Sequence, residues 1–160
     1  MSGTVDLVHG TAVAIDGHGV LMLGRSGSGK SDLALRLIDR GAVLISDDAV
    51  VVDLAGERPV LRAAPNIESM LEIRGVGICT VASTDSAPLR LLVYLENEPE
   101  RLPDERAKRA LLGFDVPFAN IAPLEASAAI KLEHALRRIV DAGRWPVAQG
   151  AIAAAESKTA

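Results

Sequence analysis

Short apolar runs recur along this chain, and most of them have the length of buried strands rather than of helices. Such runs, bounded by glycine, proline or charged residues, predict strands covered on both faces of a sheet. The predicted strands cover residues 11–15, 20–23, 42–45, 49–54, 70–81 and 89–95. Between the first two, the sequence Asp-Gly-His-Gly at 16–19 predicts a hairpin turn. We expect residues 89–95, which are apolar almost throughout, to form a central strand.

Three further segments have the spacing of helices, because their apolar residues recur at i and i+4. They cover residues 31–40, 104–112 and 124–142. Each is followed by a residue typical of a helix C-terminus, namely Gly41, Gly113 and Gly143. Strands that alternate with helices predict the α/β class. We expect one domain over residues 1–147 and a frayed, alanine-rich tail over residues 148–160.

One glycine-rich segment carries candidate chemistry between the strand at 20–23 and the helix at 31–40. It matches the phosphate-loop pattern G-x-x-x-x-G-K-[ST] without deviation. The matching residues are Gly24, Arg25, Ser26, Gly27, Ser28, Gly29, Lys30 and Ser31. Backbone N–H groups of such a loop cradle phosphates, the lysine contacts the outer phosphates and the serine hydroxyl coordinates Mg²⁺. The segment therefore predicts binding of a nucleoside triphosphate with Mg²⁺.

Acidic residues at a strand end decide what such a loop does with its ligand. Asp47 and Asp48 follow the predicted strand at 42–45, separated from it by Ser46. An aspartate there holds Mg²⁺, or it accepts the proton of an attacking hydroxyl. The alternative is an ordinary acidic turn between two strands.

Two other positions are weaker candidates. Glu72 shares one face of a predicted strand with Arg74, and the glycines that follow indicate close approach of backbone or ligand. The alternative is an exposed Glu-Arg pair at a sheet edge. His9 precedes a predicted strand, and a surface histidine is the simpler interpretation.

Composition excludes several classes of function. Aromatic residues make up 2% of the chain and the net charge is −4, so neither stacking platforms nor a basic surface for nucleic acid is expected. No apolar run has the length of a membrane span, and the N-terminus lacks the pattern of a signal peptide. A single cysteine, Cys79, fits a reducing compartment. We therefore expect a cytoplasmic protein with no nucleic-acid or membrane partner.

Taken in order, the motifs resemble one family. His9-Gly10, the phosphate loop, Asp47-Asp48 and the segment Glu-Ile-Arg-Gly-Val-Gly-Ile at 72–78 are similar to the catalytic domain of bacterial HPr kinase/phosphorylase. The similarity extends from His9 to about residue 142. It implies an α/β phosphate-loop domain of the phosphoenolpyruvate carboxykinase-like type, with a mixed sheet and flanking helices. It also implies assembly into a homo-oligomer, a hexamer.

The resemblance further implies a reaction and residue roles. Members of the family transfer a phosphoryl group from ATP to a serine of HPr, the carrier protein of the sugar phosphotransferase system. By similarity, Asp48 is the base, Lys30 holds the phosphates, Ser31 and Glu72 are Mg²⁺ ligands, and His9 is an active-site histidine. Arg101 falls where the family has a catalytic arginine, although a solvated arginine beside a helix explains it equally well.

The chain also departs from the family. It begins close to the kinase domain, so the N-terminal domain of longer members is expected to be missing, and the segment at 81–89 is shorter. Residues 116–120, Val-Pro-Phe-Ala-Asn, replace a loop that carries two arginines linked to dephosphorylation. We therefore expect a kinase with weak or absent phosphorylase activity. Two alternatives remain: a kinase of the same fold with another acceptor, and a nucleotide-dependent regulatory module without transfer.

Overall fold

A computed structural model describes residues 4–104 and 106–150 of the chain, and within them strands predominate. The first strands are β1 (Val5–His9), β2 (Thr11–Ile15), β3 (His18–Leu23), β4 (Val43–Ser46), β5 (Ala49–Asp53) and β6 (Val60–Ala63). The later strands are β7 (Met70–Ile73), β8 (Gly77–Thr80), β9 (Ser86–Leu95), β10 (Lys108–Leu111), β11 (Phe114–Ile121) and β12 (Val147–Ala148). The helices are α1 (Lys30–Asp39) and α2 (Ala128–Asp141).

The main sheet is mixed, with the order β1-β5-β6-β9-β3-β2-β4. Strand β9 is central and runs parallel to β3 and to β11. Strand β4 has the same direction as β3, because each of them is antiparallel to β2. The carboxyl ends of β3, β4, β9 and β11 therefore lie at one edge of the sheet, where ligands bind in α/β proteins.

The central strands are buried on both faces, as their apolar runs predict. Met22 of β3 faces a cluster that contains Leu33 and Leu37 of α1 and Leu132 of α2. Its neighbour Leu21 faces a second cluster, built largely from strand side chains. Successive residues of a strand point to opposite faces, so β3 and β9 contribute side chains to both clusters.

The predicted elements are largely present. The hairpin turn at 16–19 is confirmed: Asp16 and Gly17 have φ of 50° and 80°, as a two-residue turn with two positive φ angles requires. The helix after the phosphate loop and the central strand at 89–95 are also confirmed. The longest helix begins at Ala128 rather than at 124.

Two predictions are wrong. Residues 104 and 106–112 form no helix; β10 pairs with β11 through a tight turn at Leu112 and Gly113, whose φ angles are 48° and 85°. Gly113 is thus a hairpin glycine rather than a helix C-terminus. Residues 70–81 are two strands, β7 and β8, rather than one.

The segment after α2 is fixed to the sheet by a buried arginine. Arg90 of β9 is 3% exposed, and its guanidinium lies 3.5 Å from the ring centroid of Trp145. Arg90 Nε donates to the carbonyl of Arg144 over 2.8 Å, and NH1 lies 3.1 Å from His18 Nδ1. Arg58 lies over the same indole ring at 3.8 Å. Cation–π and hydrogen-bond contacts thus hold the buried charge of Arg90.

The predicted tail begins within the described residues. Ala148 pairs with Phe114 of β11, and the Gln149 N–H donates to the carbonyl of Gly113 over 3.0 Å. Residues 151–160 lie outside the described part, so the prediction of a frayed tail is untested there. No described helix is long and apolar enough to cross a membrane.

Candidate active site

The phosphate loop turns from β3 into α1 through two left-handed glycines. Gly27 and Gly29 have φ of 78° and 103°, values that side chains disfavour. A Cβ at Gly27 would meet no atom within 4 Å, so the loop is open at that point. The N-terminus of α1 opens into this space, where its free N–H groups favour an anion.

Lys30 lies inside the curve of the loop. Its side chain is 7% exposed, and Nζ donates to the carbonyls of Gly24 and Arg25 over 2.9 Å each. The backbone thus compensates the buried ammonium charge. The loop also holds the Ser28 hydroxyl, a buried polar atom with no hydrogen-bond partner among the described residues. A positive charge and an unsatisfied hydroxyl in one loop fit an anionic ligand.

Asp47 joins three parts of the site. The residue is 7% exposed and follows β4 directly. Its Oδ1 accepts hydrogen bonds from Ser31 over 2.7 Å and from Thr11 over 2.9 Å. Its Oδ2 accepts the Glu72 N–H over 3.2 Å. The residues predicted to hold Mg²⁺, Ser31, Asp47 and Glu72, therefore lie together.

Asp48, unlike the buried Asp47, is exposed to solvent. Its φ is 68°, and the Ala49 N–H donates to the Asp47 carbonyl over 2.8 Å, so Asp48 occupies the centre of a γ-turn. This strained turn leaves the carboxylate 77% exposed, with His9 Nε2 3.6 Å from Oδ1. The chain therefore separates a buried carboxylate from an accessible one.

Gly10 lets the corner between β1 and β2 pass close to the loop strand. A Cβ on Gly10 would lie 2.8 Å from the carbonyl oxygen of Met22. The Gly10 N–H donates to the Asp48 carbonyl over 3.1 Å. The pair His9-Gly10 therefore supports the Asp48 turn, and this explains the glycine at that position.

These side chains surround a cleft of about 550 Å³. Its lining includes Lys30, Ser31, Asp47, Asp48, Glu72 and Arg74. Arg74 lies in the turn between β7 and β8, not on a strand face with Glu72 as predicted. No other backbone approaches the glycines of this turn, since a Cβ on Gly75 or Gly77 would meet no protein atom within 4 Å; both have positive φ instead, and the approach of a ligand stays a prediction.

The catalytic candidate Arg101 lies apart from the cleft, and the role of Thr11 was missed. Arg101 is exposed in the segment between β9 and β10 and does not line the cleft. Thr11 lines it and contacts Asp47, although the sequence analysis assigned it no role. A threonine at the start of a strand gives no local signal, because its partners lie 36 and 37 positions away.

The oxygen-rich donor set suits Mg²⁺. Hydroxyl and carboxylate oxygens are its preferred ligands, and it keeps several waters and phosphate oxygens besides one or two carboxylates. Within the described part of the chain, no group of three histidine, cysteine or acidic side chains is placed to hold a metal ion by itself. Ser31, Asp47 and Glu72 fit a metal ion that is shared with a phosphate ligand.

Comparison with known proteins decides the family. The protein-family model described as HPr Serine kinase C-terminal domain matches residues 3–139 of this chain. The chain belongs to this family. Proteins named HPr kinase/phosphorylase from Chlorobium phaeobacteroides and Lacticaseibacillus casei are 39% and 42% identical to it, over 127 and 125 aligned positions. Each alignment covers 71% of this chain and 39% of the relative, so the chain spans about two fifths of their length.

A solved structure confirms the fold of this HPr kinase family member. The Hpr(Ser) kinase/phosphatase from Coxiella burnetii superposes with a TM-score of 0.70 at 26% identity. The match covers 82% of this chain and 88% of that chain. The predicted α/β phosphate-loop kinase fold with a mixed sheet is therefore confirmed. Membership of a serine kinase family also implies a general dependence on nucleotide and metal.

Proposed function

We propose that this chain is a protein-serine kinase that uses ATP and Mg²⁺ to phosphorylate HPr, and that it thereby regulates carbon metabolism. Relatives that are 39% and 42% identical to it over the aligned positions carry the name HPr kinase/phosphorylase. The observation that carries the proposal is the shared cleft of Lys30, Ser31, Asp47 and Asp48. In this cleft the loop residues and the exposed Asp48 carboxylate line the same cavity, which supports the proposal.

The proposed roles of the loop residues follow from their contacts. Residues 24–31 bind the phosphates through backbone N–H groups, and the Lys30 ammonium adds a positive charge. Ser31, Asp47 and Glu72 hold Mg²⁺. When bound, this ion supplies neutralisation of the charge on the transferred phosphoryl group. The Ser31 hydroxyl and Asp47 are already oriented towards each other over 2.7 Å.

Asp48 is the proposed general base. The serine oxygen of HPr forms a bond to the terminal phosphorus of ATP while the bond from that phosphorus to the bridging oxygen breaks. The serine proton passes to the Asp48 carboxylate, and ADP leaves. An exposed carboxylate suits this role because the acceptor is a side chain of another protein. His9, 3.6 Å from Oδ1, orients that carboxylate.

The Asp48→Asn variant tests the assignment. We expect it to lose phosphoryl transfer to HPr while its ATP affinity, measured by calorimetry, stays within about twofold of wild type. Asp39→Asn is a matched control, because Asp39 is exposed near the end of α1 and does not line the cleft. Full transfer by Asp48→Asn would overturn the role of Asp48.

Several expectations from the sequence remain part of the proposal. Arg101 approaches the site only if its segment rearranges, and Arg101→Ala tests whether transfer depends on it. Assembly into a hexamer is measured by sedimentation of the purified chain. The cytoplasmic location and the division into a domain over 1–147 and a tail over 148–160 also stay predictions.

A further inference from the structure

A second cavity, of about 560 Å³, also borders the phosphate loop. Its lining includes the loop residues Ser26 and Gly27, which also line the catalytic cleft. The loop is therefore a wall common to both cavities. A ligand held in the loop by its phosphates has access to both sides.

The parallel strands of the sheet place this cavity. Strands β3, β9 and β11 run in the same direction and end at neighbouring positions, Leu23 beside Tyr94 and Ile121 beside Leu95. Each strand is followed by residues that line the cavity. These are Arg25 and Ser28 after β3, Asn97 after β9, and Pro123 and Leu124 after β11. Carboxyl ends of adjacent parallel strands are where α/β sheets bind nucleotides.

The chemistry of the two cavities differs. The catalytic cleft carries the carboxylates Asp32, Asp47, Asp48 and Glu72. Among the described residues that line the second cavity there is no carboxylate; they supply apolar side chains, two serine hydroxyls from the loop, one guanidinium and one amide. The first cavity thus suits a metal ion and an acceptor hydroxyl, and the second suits an uncharged, flat, partly apolar group.

Hydrogen bonds from α1 fix the turn that carries Leu124 at the edge of the second cavity. Arg36 of α1 donates to the carbonyl of Pro123 and, over 3.1 Å, to the carbonyl of Glu125. These two carbonyls flank Leu124, so the helix that follows the phosphate loop fixes the turn on both sides of it. Leu124 itself is 86% exposed and has an apolar surface that a ligand could cover.

We infer that the second cavity binds the nucleoside of the triphosphate, with the base against Leu124 and Pro123. The inference rests on the proposed function, because the reacting end of the triphosphate must face Asp48 and the nucleoside then lies on the far side of the loop. Among the described lining residues, Asn97 supplies a side-chain amide for polar atoms of the nucleoside.

Comparing two ligands distinguishes binding of the nucleoside from binding of the phosphates. Affinities for Mg·ATP and for magnesium tripolyphosphate, which has no nucleoside, are measured by calorimetry on the full chain. Leu124→Ser removes apolar contact without adding charge, so it should weaken ATP about fivefold. It should leave tripolyphosphate unchanged. Leu102→Ser is the matched control, because Leu102 is 87% exposed and lies away from the cavity.

The outcomes are distinct from those that test the kinase proposal. Loss of affinity for ATP alone, in Leu124→Ser alone, supports the nucleoside site. Equal loss for both ligands, unchanged ATP affinity, or the same loss in Leu102→Ser overturns it. If the variants give this selective loss of ATP affinity but the wild-type chain transfers no phosphoryl group to HPr, the proposed function is contradicted and the nucleoside site is still supported.

Discussion

The Thr11 hydroxyl donates a hydrogen bond to Asp47 Oδ1 over 2.9 Å, the same oxygen that accepts from Ser31. Thr11 is 1% exposed, and its Oγ1 also accepts the Asp48 N–H over 3.4 Å. The first residue of β2 therefore orients the buried carboxylate proposed to hold Mg²⁺ and the backbone of the proposed base. One hydroxyl connects both acidic residues of the site.

Replacing Thr11 should impair turnover more than nucleotide binding. Thr11→Val keeps the shape of the side chain but removes both hydrogen bonds, one of them to a charged carboxylate. Such a bond contributes about 1.5–3 kcal/mol, so we expect kcat to fall at least about tenfold. Steady-state kinetics over a range of Mg²⁺ concentrations measure the effect. Thr11→Ser restores the hydroxyl and should recover most of kcat; a Val variant as active as wild type would show that Thr11 only fills space.

The backbone conformation of Asp48 should lower the stability of the fold, although its side chain is proposed to serve catalysis. Its φ of 68° is unfavourable for any residue with a Cβ, by about 1–2 kcal/mol. Asp48→Gly relieves this strain, so we expect it to be more resistant to urea than Asp48→Ala, by about 1 kcal/mol. Both variants lose the proposed base and should be inactive. Equal or lower stability of the glycine variant would contradict the strained turn.

The contact between His18 and Arg90 predicts a pH-dependent stability. Burial, and then the charge of Arg90, lower the pKa of His18 below its ordinary value of 6.5, while Asp16 opposes the shift. Below pH 6.5 the unfolded chain then binds more protons than the folded chain. Stability is therefore complete above pH 6.5 and falls as the pH decreases through 6.5 towards the lowered pKa.

Fluorescence measures this effect, because Trp145 is the single tryptophan and stacks on Arg90. Urea unfolding followed by Trp145 emission should give a free energy of unfolding that decreases from pH 7.5 to pH 5.5. His18→Gln should flatten this slope. His134→Gln is the control, since His134 is exposed on α2. A slope that survives in His18→Gln would assign it to other groups.

Dephosphorylation should be weak. Residues 116–120 lie within β11. The family resemblance implies a loop with two arginines at this position in other members. Phe118 and Asn120 pair with β9 in the parallel sheet. Without the two arginines, the phosphate group of phosphoserine-HPr lacks stabilisation during its removal. Incubation of phosphoserine-HPr with inorganic phosphate should release little or no free HPr, and rapid release would contradict this expectation.

Local patterns predicted the phosphate loop and its helix well, because eight consecutive residues determine both the turn and the anion site. The contact of Ser31 with Asp47 also follows from strand order, since β3 and β4 end at one edge of the sheet. Thr11 could not be found in this way, because its role depends on a hydrogen bond to a distant residue. Gly113 misled the prediction at 104–112, since a positive φ suits both a helix end and a hairpin turn.

Transfer of label from γ-labelled ATP to HPr tests the central proposal most directly. Purified chain is incubated with labelled ATP, Mg²⁺ and either HPr or an HPr variant in which alanine replaces the acceptor serine. We expect label on the first and none on the second. Bound ATP without label on HPr would contradict the proposal and favour another acceptor, if ATP is consumed, or a regulatory module, if it is not.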